Sequence, residues 1–160
     1  MDERRTRTSV LDPMTVPERV GSSYPEGFRD TVAGRAKRAL GDALGLTNFG
    51  VNLVRLPPGV ASSIRHWHSH EDEFIYVLSG ELVLVTDHRE ELLRPGATAG
   101  FPAGAADGHH LINRGSGDAL YLEVGDRSAG DVVTYADVDL MLVPQGSGRA
   151  FTNKRGEPYR

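Results

Sequence analysis

The sequence predicts an all-β protein, an antiparallel sandwich or barrel, and three observations carry that reading. Apolar and polar residues alternate with a period of two over several short runs. Clusters of Gly, Pro, Asn and Asp close each run, and the runs follow one another at close, regular spacing. At 160 residues the chain fits one domain able to bury a real core and leaves no room for two large ones.

Taken in order, residues 1–30 are polar and punctuated by Pro and Gly with no sustained period. They predict an arm that is disordered or laid over another surface. Residues 31–45, TVAGRAKRALGDALG, bring Ala33, Ala36, Leu40 and Leu44 near one helical face and predict a short helix, weakened by Gly34 and Gly41. At Asn48 the period changes. Phe49, Val51 and Leu53 alternate with Gly50, Asn52 and Val54 as in a strand, which Pro57, Pro58 and Gly59 stop. Further strands are expected at residues 74–78, closed by Ser79-Gly80, at 82–86, closed by Asp87-His88-Arg89-Glu90, and at 92–93, running into Pro95-Gly96. Residues 99–102 lead into Gly104 and Gly108, and 120–124 form the last clear strand. The tail, 131–160, holds one more expected strand at 140–143 and a turn at Asn153-Lys154-Arg155-Gly156. The division is therefore an arm with a short helix over 1–45, a barrel over 46–130, and a C-terminal extension over 131–160 packed on the barrel.

The composition narrows the chemistry. A net charge of −4 offers no basic face for nucleic acid or an anionic membrane. With no Cys there is no disulfide framework, thiolate metal site or cysteine nucleophile, so a metal would have to be held by imidazole and oxygen. The first twenty residues lack the apolar stretch of a secretory signal and no window approaches the length of a membrane span, which makes the cytoplasm the expected address.

The stretch RHWHSHEDEF, from Arg65, holds half of the six histidines. If it is extended, His66 and His68 leave the same face and can share one ion. In the strand that follows, Glu73, Ile75 and Val77 share a face, so a carboxylate can enter the same cavity. His70 shares their parity but sits where the chain turns, at the rim; His88 lies in a polar turn. Trp67 is expected on the outer side of its strand or at a subunit contact.

These residues resemble the motifs of the cupin superfamily. Gly59, His66, His68, Glu73 and Gly80 fit the first motif, although six residues rather than five separate Gly59 from His66. Gly96, Pro102 and Gly104 match the second. Strict spacing after Gly104 selects Asp107 as its ligand, whereas counting back from Asn113 selects His109, with two extra residues in the loop. His109 is preferred, because imidazole is the family's ligand there and Asp107-Gly108 looks like the turn that absorbs the insertion. By strand parity His109, Leu111 and Asn113 share a face and His110 points away. Asp107 and His110 are the alternatives.

The resemblance covers residues 49–125 and implies a double-stranded β-helix of the jelly-roll kind. It also implies one divalent metal (Mn, Fe, Zn, Ni or Co) held by His66, His68, Glu73 and His109, with open positions for a substrate. Small members of the family pair as homodimers, and their enzymes include sugar-phosphate isomerases, dioxygenases, decarboxylases and lyases. The implied function is a small-molecule metalloenzyme, and the alternative is a non-catalytic barrel that binds or senses a sugar or organic acid. Catalytic candidates are Glu73 together with Tyr121 and Glu123, which share a strand face.

Overall fold

The architecture follows from which strand faces are apolar on one side only. In a computed structural model that describes residues 9–160, thirteen strands are found among the described residues: β1 (Arg19–Val20), β2 (Ala36–Ala39), β3 (Phe49–Leu56), β4 (His66–His68), β5 (Glu73–Ser79), β6 (Leu82–Val85), β7 (Glu90–Leu93), β8 (Thr98–Phe101), β9 (His110–Ile112), β10 (Ala119–Asp126), β11 (Val133–Tyr135), β12 (Met141–Gln145) and β13 (Gly148–Thr152). They form two layers. The first is a six-stranded sheet in the order β1-β2-β3-β10-β5-β8. The second is built from β13-β12-β11-β4 and β7-β6-β9, joined edge to edge by a bridge between His66 and His109. Two sheets with their apolar faces turned inward make the expected jelly roll.

The alternation read from the sequence is the burial pattern of the strands. On β5 Ile75 and Val77 are buried while Phe74, Tyr76 and Leu78 are exposed. On β10 Ala119 and Tyr121 point inward, and on β3 Val54 and Leu56 do. Together with Leu82, Leu84, Leu93 and Leu111 from the second layer they form the core between the sheets. Gly80 ends β5 at φ +72°, where a Cβ would come within 2.7 Å of the Asp118 carbonyl; only glycine permits both the left-handed turn and that approach.

Three expectations change. The helix expected over residues 31–45 shrinks to one turn, Leu40–Ala43, because Ala36–Ala39 is captured as a strand by the edge of β3, Ala36 facing Arg55 and Ala39 facing Asn52. Backbone pairing to an open edge outweighs a weak, glycine-interrupted helical propensity. The arm expected over residues 1–30 lies on its own barrel wherever it is described, while residues 1–8 lie outside the described residues. β1 pairs with β2, and Tyr24 and Val32 are buried with Val133, Tyr135 and Leu140 of the tail in a second core. The tail contributes more than the one strand read from it: β11, β12 and β13 form a sheet edge, and β11 pairs directly with β4. No described helix is long and apolar enough to cross a membrane.

Candidate metal centre

Three strands from two layers meet at one point. His66 and His109 face each other as an antiparallel pair, the His66 amide donating to the His109 carbonyl at 3.2 Å and the His109 amide to the His66 carbonyl at 3.0 Å. Directly opposed residues project from the same face, and the two rings lie 4.8 Å apart. His68, two residues on from His66, projects beside them, with ring centroids 5.1 Å apart. Glu73 enters from β5 in the opposite sheet. Its Oε2 lies 2.5 Å from His109 Nε2, its Oε1 3.2 Å from His68 Nε2, and its carboxylate 3.4 Å from His66 Nε2. The ligating atoms of His66, His68 and Glu73 all fall within 4.8 Å of one another, and a hollow of 20 Å³ lined by His66, Glu73, His109 and Tyr121 adjoins them, space for a single water-sized occupant.

Neighbours fix which nitrogen each ring presents. His66 Nδ1 donates to the Ile64 carbonyl at 3.0 Å, which can only accept, so Nε2 is the nitrogen turned to the centre. His68 Nδ1 is held at 2.7 Å by Asp131, a fully buried carboxylate that also accepts the amides of His70 and Glu71. Support of this kind sets the tautomer and orientation of a metal-binding imidazole. His109 is oriented by stacking on Phe101, centroids 3.6 Å apart, while its buried Nδ1 has no hydrogen-bond partner among the described residues.

The electrostatics are those of an anion among imidazoles. Burial alone would raise the Glu73 pKa, but hydrogen bonds from His109, His66 and His68 outweigh it and hold the carboxyl well below the usual range. His68 is pulled down by burial and pushed up by Glu73 and Asp131, ending at about 9. Burial dominates at His109 and lowers it.

The competing residues go elsewhere. Asp107 accepts the Asp87 amide at 2.8 Å, and His110 Nδ1 donates to the Ser63 carbonyl at 2.8 Å. The loop between Gly104 and His109 holds the extra residues, and Gly108 fits there because a Cβ would come within 2.7 Å of Ala136. Asn113, fully buried, bonds the carbonyls of Leu56 and Gly117. His70 and His88 are exposed and Trp67 is half-buried.

Comparison with known proteins identifies the family and the fold. A family model for the cupin domain matches residues 52–125. The chain is 46% identical to a crystal structure described as a sugar phosphate isomerase from a cupin superfamily, from Silicibacter pomeroyi, covering 94% of this chain and 96% of that one with a TM-score of 0.90. The chain belongs to the cupin superfamily. A second solved structure, a sugar phosphate isomerase candidate from Acidithiobacillus ferrooxidans, is 32% identical over 77% of this chain and 78% of its own, with a TM-score of 0.71. An oxalate decarboxylase candidate from Thermotoga maritima, 21% identical at a TM-score of 0.60 over 74% of this chain and 99% of its own, shares the fold. No curated protein matches the chain.

In this cupin the histidine and glutamate cluster borders a cleft of 670 Å³ whose lining includes the acids Glu73 and Glu123 and the cations Arg35, Lys37 and Arg149. Glu123 also lines the inner hollow, so it stands with Glu73 at the threshold between the two spaces. Its Oε2 is 2.7 Å from Lys37 Nζ. Tyr121 shares its face but is buried in the core at 1% exposure, and burial keeps its hydroxyl protonated far above neutral pH. Sequence reasoning missed Asp131, Arg149, Arg35 and Lys37. The run VVTY after Asp131 carried a strand signal that would have placed that residue at a strand end beside β4.

Proposed function

We propose that this cupin is a metal-dependent isomerase of a small phosphorylated sugar, with His66, His68, Glu73 and His109 holding one divalent ion of Mn, Fe, Zn, Ni or Co. The observation that carries it is the convergence of three Nε2 atoms on one buried carboxylate at the edge of a cleft whose walls bear both acids and cations. The donor set fits such an ion: the Nδ1 atoms of His66 and His68 are engaged, and no arginine or lysine pairs with Glu73 among the described residues. The kinship with a sugar phosphate isomerase over nearly the whole chain supports the substrate class. A divalent ion bound there would supply Lewis acidity, polarising a carbonyl and its neighbouring hydroxyl.

The chain's own residues do the rest. Glu123, facing both cleft and hollow, takes a proton from the hydroxyl-bearing carbon next to the carbonyl and returns it to the former carbonyl carbon, while the hydroxyl proton passes from that hydroxyl oxygen to the former carbonyl oxygen, so that no atom is gained or lost. Lys37 fixes one oxygen of that carboxylate at 2.7 Å and leaves the other for the proton. Tyr121, protonated, can only donate or accept a hydrogen bond from the wall. A phosphorylated substrate and a cysteine-free chain fit a cytoplasmic address. The outer face of the six-stranded sheet, where Phe74, Tyr76 and Leu78 are 44, 38 and 43% exposed, supports pairing with a second copy into a homodimer.

Turnover by protein loaded with each metal, over a panel of aldose and ketose phosphates, tests the reading. Interconversion that vanishes in Glu123→Gln at unchanged metal content is expected. Binding of sugar phosphates without interconversion under every metal would replace the isomerase with a sensor.

A further inference from the structure

The cations of the cleft differ in what they already hold. Lys37 is paired with Glu123, Arg127 with Asp42, and Arg149 with Asp131 and Glu71. Arg35 and Arg19 have no acidic partner among the described residues. Arg35 uses two of its donors on backbone carbonyls, Nη1 on Ser62 at 2.6 Å and Nη2 on Gly21 at 3.1 Å, while its Nε is buried with no hydrogen-bond partner among the described residues. Beside it the Ser22 hydroxyl is also buried and unpartnered. A guanidinium N–H and a hydroxyl kept from water with donors to spare are costly unless something brings acceptors to them. Both line the cleft, as does Arg19, which faces Lys37 across the β1–β2 pair.

Register places these groups relative to the metal centre. Glu73 lies on β5, and β10, β3 and β2 follow it in the same sheet. Three strand spacings, roughly 14 Å along the sheet, separate the strand of Glu73 from β2. An arginine reaching back into the cleft shortens this to the span of a small phosphorylated molecule.

Resting on the isomerase reading, we propose that Arg35, Arg19 and Ser22 form the subsite that takes the phosphate ester of the substrate. Guanidinium N–H groups match phosphate oxygens in charge and geometry, and Ser22 adds a neutral donor. The segment before the barrel then selects phosphorylated over unphosphorylated sugars, while the barrel holds the reacting end.

The test uses metal-loaded full-length protein, with inorganic phosphate as a calorimetric probe and kinetics on sugar phosphates beside the matching free sugars. Arg35→Met is expected to weaken phosphate binding and raise KM for the sugar phosphate by about tenfold or more, with kcat and the free sugar little changed. Arg19→Ala and Ser22→Ala should each give a smaller change in the same direction. Because Arg35 also ties Ser62 to Gly21, Arg35→Met can fail to fold; Arg19→Ala and Ser22→Ala then decide. Phosphate affinity unchanged in those variants overturns the subsite, as does an equal loss on phosphorylated and free sugars. Phosphate binding that depends on Arg35 and Arg19 without turnover on any sugar phosphate sinks the isomerase reading and leaves the subsite standing. Turnover with phosphate affinity indifferent to all three variants does the reverse.

Discussion

Two carboxylates hold His68 from opposite sides of its ring, and their surroundings differ. Glu73 meets Nε2 at 3.2 Å amid three imidazoles. Asp131 meets Nδ1 at 2.7 Å, accepts two backbone amides, and has Arg149 at 2.7 Å. By spacing alone both neighbourhoods, His66-His68-Glu73 and His68-Glu71-Asp131, have the makings of a metal site. Charge separates them. At Asp131 a resident guanidinium already supplies the cation, whereas at Glu73 three imidazole Nε2 atoms converge and no arginine or lysine joins them among the described residues. The Glu73 site is thus suited to an external ion and the Asp131 site to holding His68, shared by both, in place.

The sharpest break of this comparison is removal of the proposed ligands on the Glu73 side. His66→Ala and His68→Ala should reduce metal, read by elemental analysis of untagged protein, from about one per chain toward none. Glu73→Gln should keep part of the metal and lose most turnover, since three imidazoles remain while the charge that tunes the ion is gone. Equal metal content in wild type and both histidine variants would sink the site.

Next in size is Asp131→Asn, which disturbs the hydrogen bond to His68 Nδ1 and should weaken metal affinity by about 10- to 100-fold in chelator competition. Unchanged affinity would reduce Asp131 to a structural residue. Arg149→Met leaves Asp131 buried with His68 and two amides and without its guanidinium. It should lower stability by about 1–2 kcal/mol in urea titration, moderated because Arg149 is itself 30% exposed, with less effect on metal than Asp131→Asn.

Acidity sharpens the contrast. In metal-free protein His68 sits at about 9 against an ordinary 6.5, so its stabilising pairs are fully present below pH 6.5 and fade as pH rises through 9. The thermal midpoint of the metal-free protein should therefore fall between neutral pH and pH above 9, and the loaded protein, whose His68 is already neutral, should lack that fall. Metal uptake near neutral pH should release about one proton, measurable in buffers of different ionisation enthalpy. A midpoint equally flat in both forms would contradict the pairing.

The smallest effects belong to the turn. Asp72 accepts the Ala103 amide at 2.8 Å, so Asp72→Asn should leave metal and rate within a small factor. Glu71 accepts the Ser128 amide at 3.0 Å and lies 3.6 Å from His68 Nδ1, so Glu71→Gln should cost slightly more. Loss of metal in Asp72→Asn with none in Glu73→Gln would shift the register by one residue.

What the sequence by itself determined is local and periodic. The two-residue spacing of His66 and His68, the parity of Glu73 with Ile75 and Val77, and that of His109 with Leu111 and Asn113 follow from the pleat, which sends alternate side chains to opposite faces wherever a segment is extended. The glycine and proline punctuation likewise marked the strand ends of the barrel, and the two motifs named the family. Only the tertiary structure decided the partners. Asp131 reaches His68 from sixty-three positions away because β11 pairs with β4. Arg35 and Lys37 come to the cleft because the open edge of β3 recruits as a strand a segment whose apolar spacing reads as helix. A side chain's face is set by the residues next to it in the chain, but its partner is set by which backbone edge it finds, and that choice is made by hydrogen bonding and burial across the whole fold.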